Sequence, residues 1–284
     1  RWVEFSDYMV DGGYPVWNCN AKRSSHDKRR FSIFCKGCEL VNAIDQVPDG
    51  FADSIAELGI EFDDGDMDRL GVFIDTLLET NKKFNLTAVK DPNQVWTRHI
   101  LDSLSLLPCL VTEEVHHVVD VGSGGGLPGI PLAITMPQVT FTLVESTKKK
   151  ALFLHELVEH FSMDNVTIIA ERAENLATPD GGFRNIADAV IARAVGPLQV
   201  LLELTIPFAK VGGVVLAIKG EKAPQEIEEA NKALHILHAK VESSRRTATG
   251  TIVMIRKLAA TPKAYPRFAG EPKRSPLGTR NTSR

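Results

Sequence analysis

Residues 118 to 134, VVDVGSGGGLPGIPLAI, combine an acidic residue with a run of glycines. An apolar run ends at Asp120, and Gly122 and Gly124 follow it within four positions. Glycines let the backbone approach a ligand closely and adopt φ values that other residues avoid. A helical pattern follows from Leu127, so the segment predicts a strand, a tight turn and a helix N-terminus in the order that is typical of a nucleotide pocket.

Two nucleotide classes fit this turn. Residues 124 to 129, GGGLPG, match the dinucleotide pattern G-x-G-x-x-G, which is weak by itself. Residues 120 to 124 match the acidic-x-Gly-x-Gly turn of Rossmann-like methyltransferases. The acid favours S-adenosylmethionine (AdoMet), because a carboxylate repels a pyrophosphate and attracts the cationic sulfonium and amine. We expect Asp120, Gly122 and Gly124 to bind AdoMet, with an NAD-linked oxidoreductase as the alternative.

Acidic residues follow the next two predicted strands. Glu145 lies 19 residues beyond Gly126 (145 − 126), a spacing at which an acid accepts hydrogen bonds from ribose hydroxyls of either nucleotide class. Ala173 and Glu174 follow the third strand, where a backbone amide can read the adenine edge. Glu174 equally suits the start of a helix.

Arg193 ends an apolar strand at the predicted ligand edge, where it can contact the AdoMet carboxylate, the substrate or a nearby acid. The residues around it read Ala-Arg-Ala-Val, without the (Asp/Asn)-Pro-Pro-(Tyr/Phe) motif of many enzymes that methylate exocyclic amines. No cysteine follows Cys109 to attack a pyrimidine ring. The pattern favours an acceptor with a free lone pair, such as guanine N7, whose methylation needs alignment and desolvation rather than a strong base. We assign no catalytic residue.

A polar cluster precedes the pocket strand. His99, Asp102 and Ser103 lie at positions i, i+3 and i+4 and therefore share one helix face. We predict that His99 and the adjacent Arg98 line the substrate entrance. The alternative is a hydrogen-bonded helix that packs on the domain.

The bulk composition limits the class of protein. The 284 residues, 43% of them hydrophobic, are enough for one large domain with a smaller segment. A net charge of −3 argues against generalised nucleic-acid binding but allows a local basic patch. No apolar run approaches the roughly 20 residues that span a membrane. Four cysteines are too few for a disulfide scaffold, and Cys35 and Cys38 have too few partners nearby for us to expect a metal site.

We divide the chain into four parts. Residues 1–45 are expected to form a disordered or targeting extension, because residues 19–38 within them are basic and contain serine, as the end of an organellar transit peptide does. Residues 46–110 form an N-terminal helical segment, and residues 111–260 form the AdoMet-binding methyltransferase domain. Residues 261–284 form a basic tail, which is either solvated or a phosphate-contacting arm that uses Lys263, Arg267, Lys273 and Arg274.

Strands and helices alternate from residue 118, which predicts an α/β fold with a mainly parallel sheet and helices on both faces. The predicted strands are Val118–Val121, Thr140–Glu145, Val166–Ala170, Ala187–Arg193 and Val214–Lys219, with a late hairpin around Lys240–Ser244 and Thr251–Leu258. The predicted helices are Phe51–Leu58, Asp66–Phe84, Asn93–Leu107, Leu127–Met136, Lys148–Phe161, Pro197–Lys210 and Ala223–Ala239.

Taken together, these motifs resemble the bacterial RsmG family, also called GidB, of small-subunit rRNA guanine-N7 methyltransferases. The resemblance covers roughly residues 66 to 277. The matching pieces are NLTA (85–88), HILDSL (99–104), VDVGSG (119–124), GIPL (129–132), LVES (143–146), RAE (172–174), ARA (192–194), KG (219–220), YPRFAGEP (265–272) and PL (276–277). Gly125 stands at a variable site of the family turn, and the first 45 residues have no family counterpart.

The resemblance implies a Rossmann-like class I AdoMet-dependent methyltransferase that acts on N7 of a guanine in the 530 loop of 16S-type rRNA. The family's AdoMet-binding positions correspond to Gly122, Leu127, Ala173, Glu174 and Arg193, with Glu145 on the ribose. The partner would be small-subunit rRNA or the assembled small ribosomal subunit, and we expect a monomer without membrane attachment. The reaction would be a single in-line displacement on a base drawn from its stack.

Two further expectations concern location and activity. The extension points to a plastid (chloroplast) protein if the gene is nuclear, with a bacterial-type cytoplasm as the alternative. The other alternative to an active enzyme is an RNA-binding protein that has kept the methyltransferase fold. The intact acid, glycines and arginine of the predicted pocket argue against that alternative.

Overall fold

The computed structural model describes residues 42–278 and the short strand Val16–Trp17. Its centre is an eight-stranded sheet in the order β1-β4-β3-β2-β5-β6-β8-β7. The strands are β1 (Val16–Trp17), β2 (His117–Val121), β3 (Thr140–Val144), β4 (Val166–Ile169), β5 (Ala187–Arg193), β6 (Ala209–Lys219), β7 (Ala239–Arg246) and β8 (Thr251–Lys257). Strands β2 to β6 run parallel, and β1, β7 and β8 pair antiparallel. The prediction of a mainly parallel α/β sheet with a late hairpin is confirmed.

The strand order reverses between β2 and β5. From β2 the chain proceeds outward through β3 and β4, and it returns to pair β5 on the other side of β2. Asp120 of β2 is level with Leu143 of β3 and Ile191 of β5. Ligands of open parallel sheets bind in the crevice at the carboxyl ends of the strands where the order reverses. Residues that end β2, β3 and β5 therefore meet at one edge.

Helices cover both faces of the sheet. The helices before β2 are α1 (Phe51–Glu57), α2 (Asp66–Asn81), α3 (Pro92–Val95), a π-helix (Trp96–Leu101), α4 (Asp102–Leu104) and α5 (Leu107–Thr112), preceded by a 3-10 turn (Ala43–Gln46). The later helices are α6 (Gly129–Thr135), α7 (Lys148–Phe161), α8 (Ala173–Leu176), α9 (Leu198–Thr205), α10 (Ala223–Glu229), α11 (Asn231–Ile236) and α12 (Glu271–Arg274).

Successive side chains along each strand point to opposite faces of the sheet, so they pack into two hydrophobic cores. The first core joins the N-terminal helices, α6 and α7 to one face of the sheet, and it includes the fully buried Phe73 and Trp96 and the buried Phe141. The second core joins helices α8 to α11 to the other face, and it includes the fully buried Leu201 and Phe208. The N-terminal helical segment thus shares a core with the sheet.

Three predicted helices differ from the structure. The helix predicted over Ala223–Ala239 is interrupted at Ala230 and ends at Ile236, and Ala239 begins β7. The helix predicted over Asn93–Leu107 contains a π-helix and ends at Leu104, where the Ser105 hydroxyl donates to the Asp102 carbonyl at 2.6 Å. Such side-chain hydrogen bonds compete with the regular helical pattern. The helix predicted over Pro197–Lys210 ends at Thr205, because Pro207 has no N–H to continue it.

The C-terminal segment, defined here as residues 261–278, packs against the domain. Arg184 donates to the carbonyls of Ala177, Thr261 and Tyr265 at 2.6–2.8 Å, and Thr261 and Leu277 are buried. This part of the predicted basic tail is therefore packed on the domain, although its side chains Lys263, Lys273 and Arg274 are exposed. The extension over residues 1–41, apart from β1, and residues 279–284 lie outside the described residues, as do Cys35 and Cys38. Within residues 42–278, no helix is long and apolar enough to cross a membrane.

Candidate active site

The glycine turn leaves β2 in a conformation that side chains resist. Gly122, Gly124 and Gly126 have φ values of 77°, 57° and 89°. A Cβ on Gly122 would also lie 3.1 Å from Cγ2 of Val195 in the loop after β5. The Gly122 N–H donates to the Val144 carbonyl at 2.8 Å. The turn therefore needs glycine at residue 122, and it is fixed to the end of β3.

Asp120 lies beneath this turn and is fully buried. Its Oδ2 accepts the Gly129 N–H at 3.0 Å, which holds the start of α6, whereas its Oδ1 has no hydrogen-bond partner. Burial raises the pKa of the Asp120 carboxyl to about 7; the charge of nearby Glu145 acts in the same direction, and the hydrogen bond from Gly129 opposes it. Asp120 thus supports the turn through Oδ2, while Oδ1 remains without a hydrogen-bond partner.

Glu145 connects the turn to the end of β3. Its Oε2 accepts the Gly124 N–H at 2.9 Å and its Oε1 accepts the Thr147 N–H at 2.6 Å. The side chain is buried and oriented by both bonds. An ionised carboxylate has about four acceptor positions, so Glu145 can also accept hydrogen bonds from the hydroxyls of a ribose.

Ala173 and Glu174 begin α8 at the carboxyl end of β4, and both are buried. The Glu174 Oε1 accepts the Gly270 N–H at 2.7 Å and lies 3.9 Å from a nitrogen of Arg172. The Glu174 side chain therefore contacts the C-terminal segment, which the sequence did not predict. The backbone at Ala173 and Glu174 is the part that can face an adenine.

Arg193 is held by three groups from the N-terminal helices. Its Nη2 donates to the Arg98 carbonyl at 2.8 Å and to Nδ1 of His99 at 2.9 Å, and its Nε lies 3.3 Å from Oδ2 of Asp102. Its Nη1 is buried and has no partner. The arginine therefore presents one free donor in a fixed orientation.

His99 is part of the wall that holds Arg193. Desolvation, followed by the charge of Arg193, lowers the pKa of His99 to about 4, so the ring is neutral at pH 7. Since Nδ1 accepts from Arg193, Nε2 carries the hydrogen and donates to the Thr87 hydroxyl at 2.6 Å. Both ring nitrogens are occupied and the residue is 6% exposed. His99 thus orients Arg193 and has no free nitrogen for the substrate.

Asp102 completes this network from the other side of the guanidinium. It accepts a hydrogen bond from the Thr249 hydroxyl and is buried. Burial raises the pKa of the Asp102 carboxyl, and the charge of Arg193 opposes that effect. Thr87 and Thr249 were not singled out by sequence reasoning, because neither lies near Arg193 in the chain. The occurrence of Thr87 in the NLTA motif was the available signal.

The loop after Arg193 is braced by a buried lysine. Lys219 ends β6, and its Nζ donates to the Gly196 carbonyl at 2.6 Å and pairs with Oε2 of Glu226 at 2.7 Å. The same carboxylate oxygen accepts the Leu198 N–H at 2.8 Å. The brace holds the loop that contains Val195 over Gly122. The sequence marks Lys219 only as part of the KG motif, and it does not predict these contacts.

The residues present fit AdoMet. Two of the buried atoms without a hydrogen-bond partner lie at this edge, an acceptor at Asp120 and a donor at Arg193. The donor matches the carboxylate of the AdoMet methionine moiety, and the buried acid places negative charge beneath the turn that would surround the amine. Glu145 supplies acceptors for the ribose, and no side-chain atom of the described residues lies within 4 Å of the position that a Cβ on Gly124 would take.

Some of the predicted substrate-binding residues are exposed, and one is engaged within the chain. Arg98 is exposed and lines a groove of about 320 Å³. Lys263, Lys273 and Arg274 are exposed on the C-terminal segment. Arg267 turns inward: its Nη2 pairs with Oε2 of the fully buried Glu203 at 2.6 Å, and its Nε donates to Oε1 of Glu203 at 2.8 Å. All of its nitrogens are engaged within the chain, so we do not retain Arg267 as a phosphate contact.

Comparisons with known proteins agree with this site. The GidB family model, described as rRNA small subunit methyltransferase G, matches residues 66–256. Ribosomal RNA small subunit methyltransferase G of Sorangium cellulosum is 45% identical over 224 residues, which cover 77% of this chain and 91% of that protein. The protein of the same name from Streptococcus gordonii is 39% identical over 236 residues, which cover 81% and 99%.

A solved structure of a candidate O-methyltransferase from Klebsiella pneumoniae has the same fold. It covers 76% of this chain and 99% of its own, with a TM-score of 0.51 and 16% sequence identity. That likeness concerns the fold alone, which is the class I AdoMet-dependent methyltransferase fold. The family match, by contrast, extends over most of the described sequence. The chain therefore belongs to the GidB family, rRNA small subunit methyltransferase G.

Proposed function

We propose that this protein transfers the methyl group of AdoMet to N7 of a guanine in the 530 loop of small-subunit rRNA. AdoMet is the methyl donor of the family, and it supplies an electrophilic methyl group on a sulfonium. One observation carries the proposal. The glycine turn, Glu145 and an Arg193 with one free donor converge at the carboxyl edge of a GidB-family sheet.

We assign the predicted residues to parts of the cofactor. The backbone at Gly122, Gly124 and Leu127 surrounds the methionine end, and Glu145 accepts from the ribose hydroxyls. The backbone at Ala173 and Glu174 reads the adenine. Arg193 donates from Nη1 to the methionine carboxylate, and Asp120 attracts the positive end through the turn that it holds.

The site needs no general base for this reaction. Guanine N7 has a lone pair and no proton to lose. His99 is neutral, but both of its nitrogens are engaged, and Asp120 is closed off beneath the turn. The chain contributes by placing the base in line with the methyl group and by excluding water, and such positioning is worth orders of magnitude in rate.

The RNA is held by cations at the same edge. Arg98 beside the site, and Lys263, Lys273 and Arg274 on the C-terminal segment, are free to contact phosphates, which are the main source of affinity for nucleic acid. We propose that a monomer acts on rRNA or on the assembled small subunit, without membrane attachment. The basic stretch within residues 19–38 favours a plastid location, with a bacterial-type cytoplasm as the alternative.

A pair of glycine variants tests the pocket. Gly122→Asp should lower the AdoMet affinity at least about tenfold, because the new side chain meets Val195 and adds charge to the turn. Gly212→Asp is the matched control, since Gly212 also has a positive φ but nothing lies within 4 Å of its Cβ position. The measurement is calorimetric titration with AdoMet. Equal AdoMet affinity of Gly122→Asp and the control would show that the turn is not part of the AdoMet pocket.

A further inference from the structure

A cavity of about 410 Å³ lies outside the proposed cofactor pocket, between α8 and the C-terminal segment. Glu174 and Thr178 line one wall, and Lys263, Phe268 and Glu271 line the other. Gly122, Glu145 and Arg193 do not line it. A volume of this size is within the range of small-molecule pockets and holds a nucleobase with its sugar. The function proposed above uses the backbone of Glu174 and the charge of Lys263, but it assigns no ligand to the cavity itself.

Phe268 gives the cavity an aromatic face. Its side chain is 87% exposed, more than any other large hydrophobic residue among those that the structure describes. A single exposed hydrophobic residue is ordinary by itself. Here, however, the ring borders a cavity and lies on the segment that carries the exposed cations Lys263, Lys273 and Arg274. Aromatic rings beside cations are the arrangement that binds single-stranded RNA, because bases stack on the ring and phosphates meet the charges.

The walls of the cavity are fixed before any ligand binds. The Gly270 N–H donates to Glu174 across the cavity, at 2.7 Å. Arg267, next to Phe268, is locked to the buried Glu203 through three hydrogen bonds of 2.6–2.9 Å. A preformed site loses less conformational entropy when it binds than a mobile one does. The backbone that carries Phe268 is therefore held on both sides of the residue.

The polar groups of the walls select the kind of base. The carboxylates of Glu174 and Glu271 keep acceptor positions that their contacts with Gly270, Arg172 and Arg267 do not use. Carboxylates repel phosphate and accept hydrogen bonds from an exocyclic amine. Adenine, guanine and cytosine carry such an amine, and uracil does not. The base would enter the cavity while its phosphates stay outside with Lys263.

We propose that this cavity binds an unpaired, amine-bearing base of the rRNA substrate, other than the guanine that is methylated, by stacking it on Phe268. The inference rests on the proposed function, because it takes RNA as the substrate. Glu174 begins α8 at the carboxyl end of β4, so the second base would be held at the same edge of the sheet as the methyl-transfer site. A base held there fixes the register of the RNA loop relative to the target.

Binding of short RNA oligomers tests the site directly. Fluorescence anisotropy with end-labelled single-stranded oligo(A) and oligo(U) measures Kd for the wild type and for Phe268→Leu, Phe268→Trp and Val211→Ala. Phe268→Leu should weaken oligo(A) binding at least about fivefold, the loss expected for one stacked base, and Phe268→Trp should retain it. Val211 is a matched control, since it is 57% exposed but lies at the start of β6, away from the carboxyl edge.

Two further measurements test which bases the cavity selects and where on the chain the RNA binds. The wild type should bind oligo(A) more tightly than oligo(U), and an 8-azidoadenosine oligomer should cross-link to the peptide that contains residue 268. Equal Kd values for Phe268→Leu and the wild type, with cross-links elsewhere, would overturn the site. Equal binding of oligo(A) and oligo(U) would overturn its selection of amine-bearing bases.

Methylation of small ribosomal subunits separates this inference from the proposed function. If the wild type methylates subunits and Phe268→Leu does so with an unchanged KM for subunits, base binding by the cavity is wrong and the proposed function is retained. If the wild type methylates no rRNA but binds oligomers through Phe268, the proposed function is wrong and base binding by the cavity is retained. Unchanged AdoMet affinity in Phe268→Leu confirms that the variant is folded in either case.

Discussion

At Arg193, one guanidinium joins parts of the chain that are about 95 residues apart. Asp102 and His99 come from the N-terminal helices, whereas Arg193 ends β5. A buried ion pair contributes little net stability, but removing one partner leaves an uncompensated charge that costs about 3–5 kcal/mol. The sequence pointed to Arg193 and His99 separately. It did not predict their contact, because contacts across such distances depend on how the helices pack.

The neutral state of His99 makes the stability of the protein depend on pH. Its pKa is about 4 in the folded protein and near 6.5 when unfolded, so the unfolded chain binds more protons between these pH values. Stability from this residue is therefore present above pH 6.5 and is lost as the pH falls toward 4, by about 3 kcal/mol in total.

Urea unfolding of the wild type and His99→Gln between pH 4 and pH 7 measures that loss. The glutamine should remove the part of the acid sensitivity that comes from His99, so the two stability curves should converge at low pH. Stability curves that stay parallel over the whole range would contradict a neutral, buried His99.

At the scale of elements, the alternation of strands and helices was predictable, and their irregularities were not. The bounds of β5 and α7 agree with the predicted bounds, because a continuous apolar run and a regular helical period define them locally. The π-helix at Trp96–Leu101 was missed, since a π-helix has no clear period in a single sequence. That irregular stretch contains His99 and supplies the Arg98 carbonyl, which both contact Arg193.

The brace of the loop after β5 makes Lys219 a positioning residue. Lys219→Met should remove the contact with Gly196 and leave Glu226 without its cation, so the loop over Gly122 should open. Hydrogen exchange of residues 194–198 should become faster, and the AdoMet affinity should fall about tenfold, which corresponds to about 1.4 kcal/mol.

Two variants control for this effect. Lys219→Arg keeps the charge and should restore part of the protection, whereas Lys240→Met removes an exposed lysine of β7 and should change neither quantity. Unchanged exchange of residues 194–198 in Lys219→Met would show that the loop is held by other contacts.

At the scale of the whole molecule, the C-terminal segment closes the structure over α8 and α9. Its composition predicted a basic tail, but not that Arg267 turns inward to Glu203, which lies 64 residues earlier. The sequence marks both residues as charged and says nothing of their pairing. The exposed cations of the segment, by contrast, are where the sequence suggested, because a charge without a buried partner remains in solvent.

Removing the Arg267 charge should therefore destabilise the fold. Arg267→Met leaves the fully buried Glu203 unpaired, and the expected loss of unfolding free energy is about 3–5 kcal/mol. Lys263→Met removes an exposed charge of the same segment and should change stability by less than about 0.5 kcal/mol. Denaturant unfolding measures both values. The double variant with Glu203→Gln should recover part of the loss, and equal stability of Arg267→Met and Lys263→Met would contradict a clamp at Arg267.

The most direct test of the central claim is methyl transfer from labelled AdoMet to small ribosomal subunits that lack guanine-N7 methylation, with the modified base mapped on the rRNA. The account predicts label on N7 of one guanine in the 530 loop, present with the wild type and lost with Gly122→Asp. Tight AdoMet binding without label on subunits or free rRNA, or label on any atom other than a guanine N7, would contradict it.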